Sequence, residues 1–108
     1  MEMRLRANDA RGFDTVLLKG DCDLYSAPRM KTAIINRIGT GMRKLRLDFE
    51  GVAYLDSTGV GAIIQILQAM KTVTGEVVFR GIAGAPRKVL EMSNVISLMK
   101  LEKTDTAQ

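Results

Sequence analysis

Apolar residues in this chain switch between a two-residue and a helical period. Met3, Leu5 and Ala7 alternate with charged residues, residues 8–12 read as a turn, and an apolar segment over residues 13–19 ends at Gly20. Together these predict a β-hairpin. Ser26, with Pro28 in the first turn, opens a helix whose stripe is Met30, Ile34 and Ile38 with Ala33 and Ile35 beside it, ended by Gly39 and Gly41. Leu45, Leu47 and Phe49 alternate with Lys44, Arg46 and Asp48, which predicts a strand, and residues 50–55 read as the connection to the next helix. In that second helix Val60, Ile63, Ile64, Leu67 and Met70 recur at helical spacing. Ala62, Ile66, Ala69 and Val73 widen the stripe, so only Gly61, Gln65, Gln68 and Thr72 are left as an outer face and the helix is expected to be mostly buried. Residues 76–80 form a strand whose Val77, Val78 and Phe79 suit burial on both faces. Pro86 then opens a third helix with Val89, Leu90 and Met92, and a polar tail runs from about residue 102.

Strands that alternate with helices imply right-handed crossovers and parallel neighbours. The expected fold is therefore one α/β domain over residues 1–108, with a mixed, largely parallel sheet, an antiparallel N-terminal edge and helices packed on it. In such sheets, loops beyond the carboxyl ends of the strands carry function. Three qualify, over residues 20–26, 50–58 and 81–86. The first holds Asp21 and Asp23, the second Asp56 and Ser57, and their convergence would make a small acidic, hydroxyl-rich surface.

Composition removes several classes of chemistry. The 108 residues include one cysteine and no histidine, so neither a disulfide framework nor a Cys/His zinc set is available, and a Ser-His-Asp triad is impossible. No enzyme activity and no cofactor are expected. Asp21 and Asp23 lack a third ligand, so no metal site is expected either. The formal net charge is +4, but the basic residues are scattered and the aromatic residues form no stacking platform, so direct nucleic-acid binding is not expected. With no leader pattern at the first residues and no apolar run long enough to span a bilayer, a soluble, cytoplasmic protein is expected.

The segment Asp56-Ser57-Thr58-Gly59-Val60-Gly61 places a serine at the start of a rigidly held helix, with Asp56 or Ser57 able to cap it. The positive end of the helix dipole favours an anion there, and the neighbouring glycines leave room for a partner to approach. The same residues also read as a plain helix cap with turn glycines.

Gly20-Asp21-Cys22-Asp23-Leu24 after a strand, Leu47-Asp48-Phe49 leading through Val52 to Leu55-Asp56-Ser57-Thr58-Gly59-Val60-Gly61, and Gly84-Ala85-Pro86-Arg87-Lys88-Val89-Leu90 resemble the STAS domain. Among its members the chain is most similar to bacterial anti-sigma factor antagonists. The resemblance implies that Ser57 is phosphorylated by an anti-sigma factor that is itself a serine kinase. It also implies that Asp23, Asp56, Thr58 and Gly59 contribute to the partner-binding surface, which Asp21 joins by its place in the same loop as Asp23. ATP and magnesium would belong to the partner, and a phosphoserine phosphatase would reset the switch. Two alternatives stand beside this one. The first is a STAS module in a stress-signalling assembly or a transporter-regulatory complex. The second is a phospho-aspartate receiver-like domain with Asp48 as acceptor near a strand end.

Overall fold

A computed structural model describes residues 1–103. The elements are β1 (Glu2–Arg6), β2 (Asp14–Cys22), α1 (Ala27–Gly39), β3 (Lys44–Leu55), α2 (Ser57–Thr72), β4 (Glu76–Arg80), α3 (Gly84–Met92) and a 3-10 turn over Ile96–Leu98. The sheet order is β1-β2-β3-β4, with β1 antiparallel to β2 and the remaining pairs parallel. This is the expected mixed α/β fold.

The crossovers through α1 and α2 both step in one direction along the sheet, so a right-handed sense puts both helices on the same face. There Leu45, Leu47 and Phe49 of β3 pack with Met30, Ile34, Ile63, Ile66 and Met70 in one continuous core. The charged alternate positions of β3 point to the other face, where Arg46 and Asp48 are nevertheless buried. The Arg46 guanidinium spans that face. Nε and Nη2 donate to the two Glu102 carboxylate oxygens at 2.7 and 3.0 Å, and Nη1 donates to Asp9 at 2.8 Å and to Thr15 Oγ1 at 2.9 Å. Lys44 Nζ and the Arg46 guanidinium lie 4.8 and 5.0 Å from the Phe13 ring centroid. A buried arginine is tolerated here because its donors meet two carboxylates and a hydroxyl.

Several expectations are corrected. Residues 50–55 are strand rather than connection, so β3 is 12 residues long. The alternation that marks a strand fails there because β3 carries two extra residues against β2. Leu17 pairs with Asp48, Lys19 with Gly51 and Asp21 with Tyr54. Each shift is a bulge that re-aims the following side chains. Gly51 sits at the first of them, where a Cβ would come within 2.8 Å of the Leu18 carbonyl oxygen.

On α2, Val60, Ala62, Ile63, Ile66 and Met70 are buried, whereas Leu67 and Ile64 are half-buried at the edge of the stripe. Met92 is 80% exposed and lies off the core face of α3, which buries Pro86 and Leu90. Glu102 does not belong to a tail. Its N–H donates to the Phe79 carbonyl, next to a parallel bridge between Leu101 and Phe79, while its carboxylate holds Arg46. The rest of the expected tail, residues 104–108, lies outside the described residues. Among the described residues, no helix is long and apolar enough to cross a membrane.

Candidate functional site

The ends of β2 and β3 and the starts of α1 and α2 form one rim. Cys22 and Leu55 are in register at the strand ends, and the Asp56 N–H donates to the Cys22 carbonyl at 3.2 Å, which ties the start of α2 to the end of β2. Asp56 is the N-cap. Its backbone is extended, and its Oδ1 accepts from Thr58 N at 2.9 Å and from Gly59 N at 3.1 Å. One carboxylate oxygen therefore satisfies two of the amides that a helix start leaves open.

This arrangement decides which of the two candidate caps is real. Ser57 is the first helical residue, it is exposed, and the cap bonds belong to Asp56. Its hydroxyl is thereby left available at the protein surface. The Thr58 and Gly59 amides are already engaged, so an anion on Ser57 would face solvent or a partner rather than settle into the helix start.

Gly59 is buried, and a Cβ on it would lie 2.4 Å from Leu55 Cδ1 and 2.9 Å from both the carbonyl oxygen and Sγ of Cys22. Its contribution is to let α2 press on the end of β2, with Ser57 and the half-buried Thr58 displayed above it. Gly61, by contrast, has open space where a Cβ would be.

Asp23 is not a free loop carboxylate. Oδ1 accepts from Tyr25 N at 2.9 Å and from Ser26 N at 3.0 Å, and the Asp23 carbonyl accepts from Ala27 N at 2.8 Å. These bonds from the Ser26 and Tyr25 amides hold its carboxyl below the usual carboxylate range. Ser26, buried at the helix start, donates its hydroxyl to the Asp21 carbonyl and accepts from Asp23 N, so it stitches the loop instead of capping α1. Asp21 is exposed and pairs in register with Tyr54, itself 49% exposed.

The acidic loops do converge, and Cys22 registers it. Burial first, and then the charges of Asp56 and Asp23, push its thiol up to about 11, so it stays protonated and inert at neutral pH.

The third expected loop does not join this rim. β4 ends with Arg80 opposite Asp48, while β3 runs on to Leu55. Residues 81–86 begin level with Glu50, whose N–H lies 2.7 Å from where a Gly81 Cβ would be. At about 3.3 Å per strand residue over the five steps from Glu50 to Leu55, that loop is set back by roughly 15 Å from the end of β3. Asp48 is likewise buried in mid-strand, with Oδ1 accepting from Glu50 N at 2.9 Å. This placement removes it as a strand-end phosphate acceptor.

The rim also carries apolar surface that sequence reasoning missed. Leu24 is 61% exposed and Tyr25 81% exposed, both in the loop after β2, and Tyr54 stands beside Asp21. Large apolar residues next to aspartates and outside any periodic stripe were the available signal.

Comparison with known proteins adds four findings. The family model of the STAS domain matches residues 7–106. An anti-sigma-B factor antagonist of Staphylococcus aureus is 23% identical over 103 residues, covering 95% of each chain. The anti-sigma factor antagonist SpoIIAA in its unphosphorylated form superposes with a TM-score of 0.74 at 19% identity, covering 95% of this chain and 89% of that one. The phosphorylated form of the Bacillus SpoIIAA gives 0.73 at 21% identity, covering 96% of this chain and 94% of that one.

Proposed function

This chain belongs to the STAS domain family, and on that premise we propose that it is an anti-sigma factor antagonist that phosphorylation of Ser57 switches off. The observation that carries the proposal is the division of labour at the start of α2. Asp56 makes the cap, so the exposed Ser57 hydroxyl is not needed to hold the helix. The relatives named as anti-sigma factor antagonists support the same reading.

In the unmodified state the rim of Asp21, Asp56, Ser57 and Thr58, with Leu24, Tyr25 and Tyr54 around it, docks on an anti-sigma factor with serine kinase activity and frees the sigma factor held there. Asp23 and Gly59 act from beneath, one by fixing the loop and the other by seating the helix. Phosphate adds about −1.5 to −2 charges. It arrives beside Asp56, whose carboxylate already occupies the nearest amides, so the new charge projects into the contact surface and repels or desolvates poorly there. Binding falls while the fold persists. ATP and magnesium are the partner's, and a phosphoserine phosphatase returns the chain to its binding form.

The test is to incubate the chain with a kinase-type anti-sigma factor and ATP, then map the modification by mass spectrometry and measure complex formation before and after. Phosphate on Ser57 with loss of binding is expected. Phosphate that is released by hydroxylamine, as an acyl phosphate is and a phosphoserine is not, or a phosphorylated chain that binds as tightly as the unmodified one, refutes the proposal.

A further inference from the structure

We propose that the free edge of β1 is a self-association surface on which a second copy of this chain pairs strand to strand. Among the described residues β1 is the last strand of the sheet on its side and bonds only to β2, and all five of its residues are exposed. Edges of soluble proteins are usually blunted by short length, charged side chains, proline, a bulge or a covering element. Among the described residues β1 has no proline, bulge or covering element, and its register against β2 runs without interruption from Glu2 opposite Lys19 to Arg6 opposite Thr15; what guards it is its short length and the charges of Glu2, Arg4 and Arg6. Its two apolar residues, Met3 at 37% and Leu5 at 41% exposure, stand on the helix side. With Val16 and with Ala33 and Ile34 of α1, they line a groove of about 110 Å³ that lacks its outer wall.

The charges on the opposite side of β1 select the occupant and its register. Residues directly opposite in an antiparallel pair point to the same face, so a two-fold axis relating two copies of β1 must pass through a residue position. An axis at Met3 sets Glu2 opposite Arg4 twice, Met3 opposite Met3, and Leu5 opposite Met1, with no like charges facing. An axis at Arg4 brings the two Arg4 side chains together, and one at Leu5 opposes Arg4 to Arg6 twice. The Met3 register is thus the one in which every charged pair is favourable. Within one chain, Glu2 and Arg4 are only 3.5 Å apart in a pair that is 54% and 75% exposed. Such a contact is weak and free to exchange for the cross-strand one. Pairing would join the two four-stranded sheets into one of eight strands and lay the Met3 and Leu5 rows of both copies into the open groove beside α1. None of the Ser57 rim residues takes part, so each copy keeps its own rim.

The test is the mass in solution of the full chain by sedimentation equilibrium, from about 1 µM to about 1 mM. The wild-type chain is expected to rise from one chain to two across that range. Glu2→Arg and Arg4→Glu each turn both cross-strand pairs repulsive and should weaken the dimer by at least about tenfold. Mixed in equal amounts, the two variants set a pair of arginines on one copy against a pair of glutamates on the other, and the dimer should return to near wild-type strength. Both positions are exposed, so thermal melts of the variants should match wild type. Three results overturn the proposal: a wild-type chain that stays single throughout, as it would if the edge served only a strand of another protein; a dimer that neither reversal weakens; or a mixture that stays single.

Discussion

The same substitution two residues apart on α2 should have opposite effects, because only one of the two glycines is in contact with its surroundings. At Gly61 a Cβ meets nothing within 4 Å, so Gly61→Ala exchanges a flexible residue for the best helix former and should stabilise by about 0.5–1 kcal/mol. At Gly59 that gain is opposed by overlap with three atoms: Leu55 Cδ1 at 2.4 Å, and the Cys22 oxygen and sulfur at 2.9 Å each. Leu55 is 3% exposed and has little room to turn away, and the Cys22 carbonyl is pinned by the Asp56 N–H. Overpacking of this kind costs about 1–3 kcal/mol, so the net effect of Gly59→Ala should be a loss of about 1–2 kcal/mol. At roughly 4–8 °C per kcal/mol for a domain near this size, the two variants should melt at least about 6 °C apart, on opposite sides of wild type. Thermal and urea melts of the three proteins decide it. Gly59→Ala should in addition lower the rate at which Ser57 is phosphorylated by more than its unfolded fraction explains, because the start of α2 is displaced from the end of β2. A Gly59→Ala protein that melts at or above wild type refutes both the contact geometry and the seating role given to Gly59.

Three further outcomes test other parts of the rim and of the helix-free face. Ser57→Ala should abolish phosphorylation and change stability by no more than about 0.5 kcal/mol, whereas Asp56→Ala, which removes the cap, should cost about 1 kcal/mol; chemical denaturation separates them, and equal losses would mean that Ser57 caps after all. Asp23→Ala leaves the Tyr25 and Ser26 amides without their acceptor and should cost about 1–2 kcal/mol, so its effect on partner binding must be measured at a temperature where the variant is folded, and a variant as stable as wild type would remove its positioning role. Asp9, drawn down to about 2 chiefly by its bond from Arg46, and Glu102, also lowered chiefly by Arg46, have depressed folded values, so their stabilisation is present above the ordinary carboxylate range and is lost as pH falls through the folded values. Wild-type melting temperature should accordingly drop between about pH 4.5 and pH 2, and Glu102→Gln should start lower at pH 7 and fall less, while parallel curves for the two proteins would count against the Arg46 pairing.

Where the chain keeps a regular period, its fold was legible in the sequence. The hairpin, the strand through Leu45, Leu47 and Phe49, and the centre of the stripe of α2 stand as their spacing predicts. The second half of β3 was hidden because a bulge shifts which residues face the core, and a two-residue period cannot survive an inserted residue. Leu67 falls on the stripe expected to be buried, yet it is half-buried, and Met92, an apolar residue of the third helix, is exposed, because spacing does not say how far the covering elements extend. For the site, residue types identified the Ser57 segment but not the roles inside it. Whether Asp56 or Ser57 caps α2 depends on backbone angles at a single peptide. That Asp23 is spent on its own loop depends on a turn of four residues. The set-back of residues 81–86 follows from the unequal lengths of β3 and β4, a property of pairing that neither strand's own sequence contains.

The Arg46 contacts on the helix-free face also have a consequence for the order in which the molecule comes apart. They link residues 37 and 56 positions distant along the chain, whereas the hairpin and the helices close through much nearer neighbours. Bonds across such long intervals form late, after the intervening chain has been ordered, because the loop entropy must be met first. Interactions absent from the folding transition state act on the rate of unfolding rather than on that of folding. Removing the Glu102 carboxylate should therefore leave refolding nearly as fast as before and shorten the lifetime of the native state, so that this single arginine serves chiefly as a brake on unfolding.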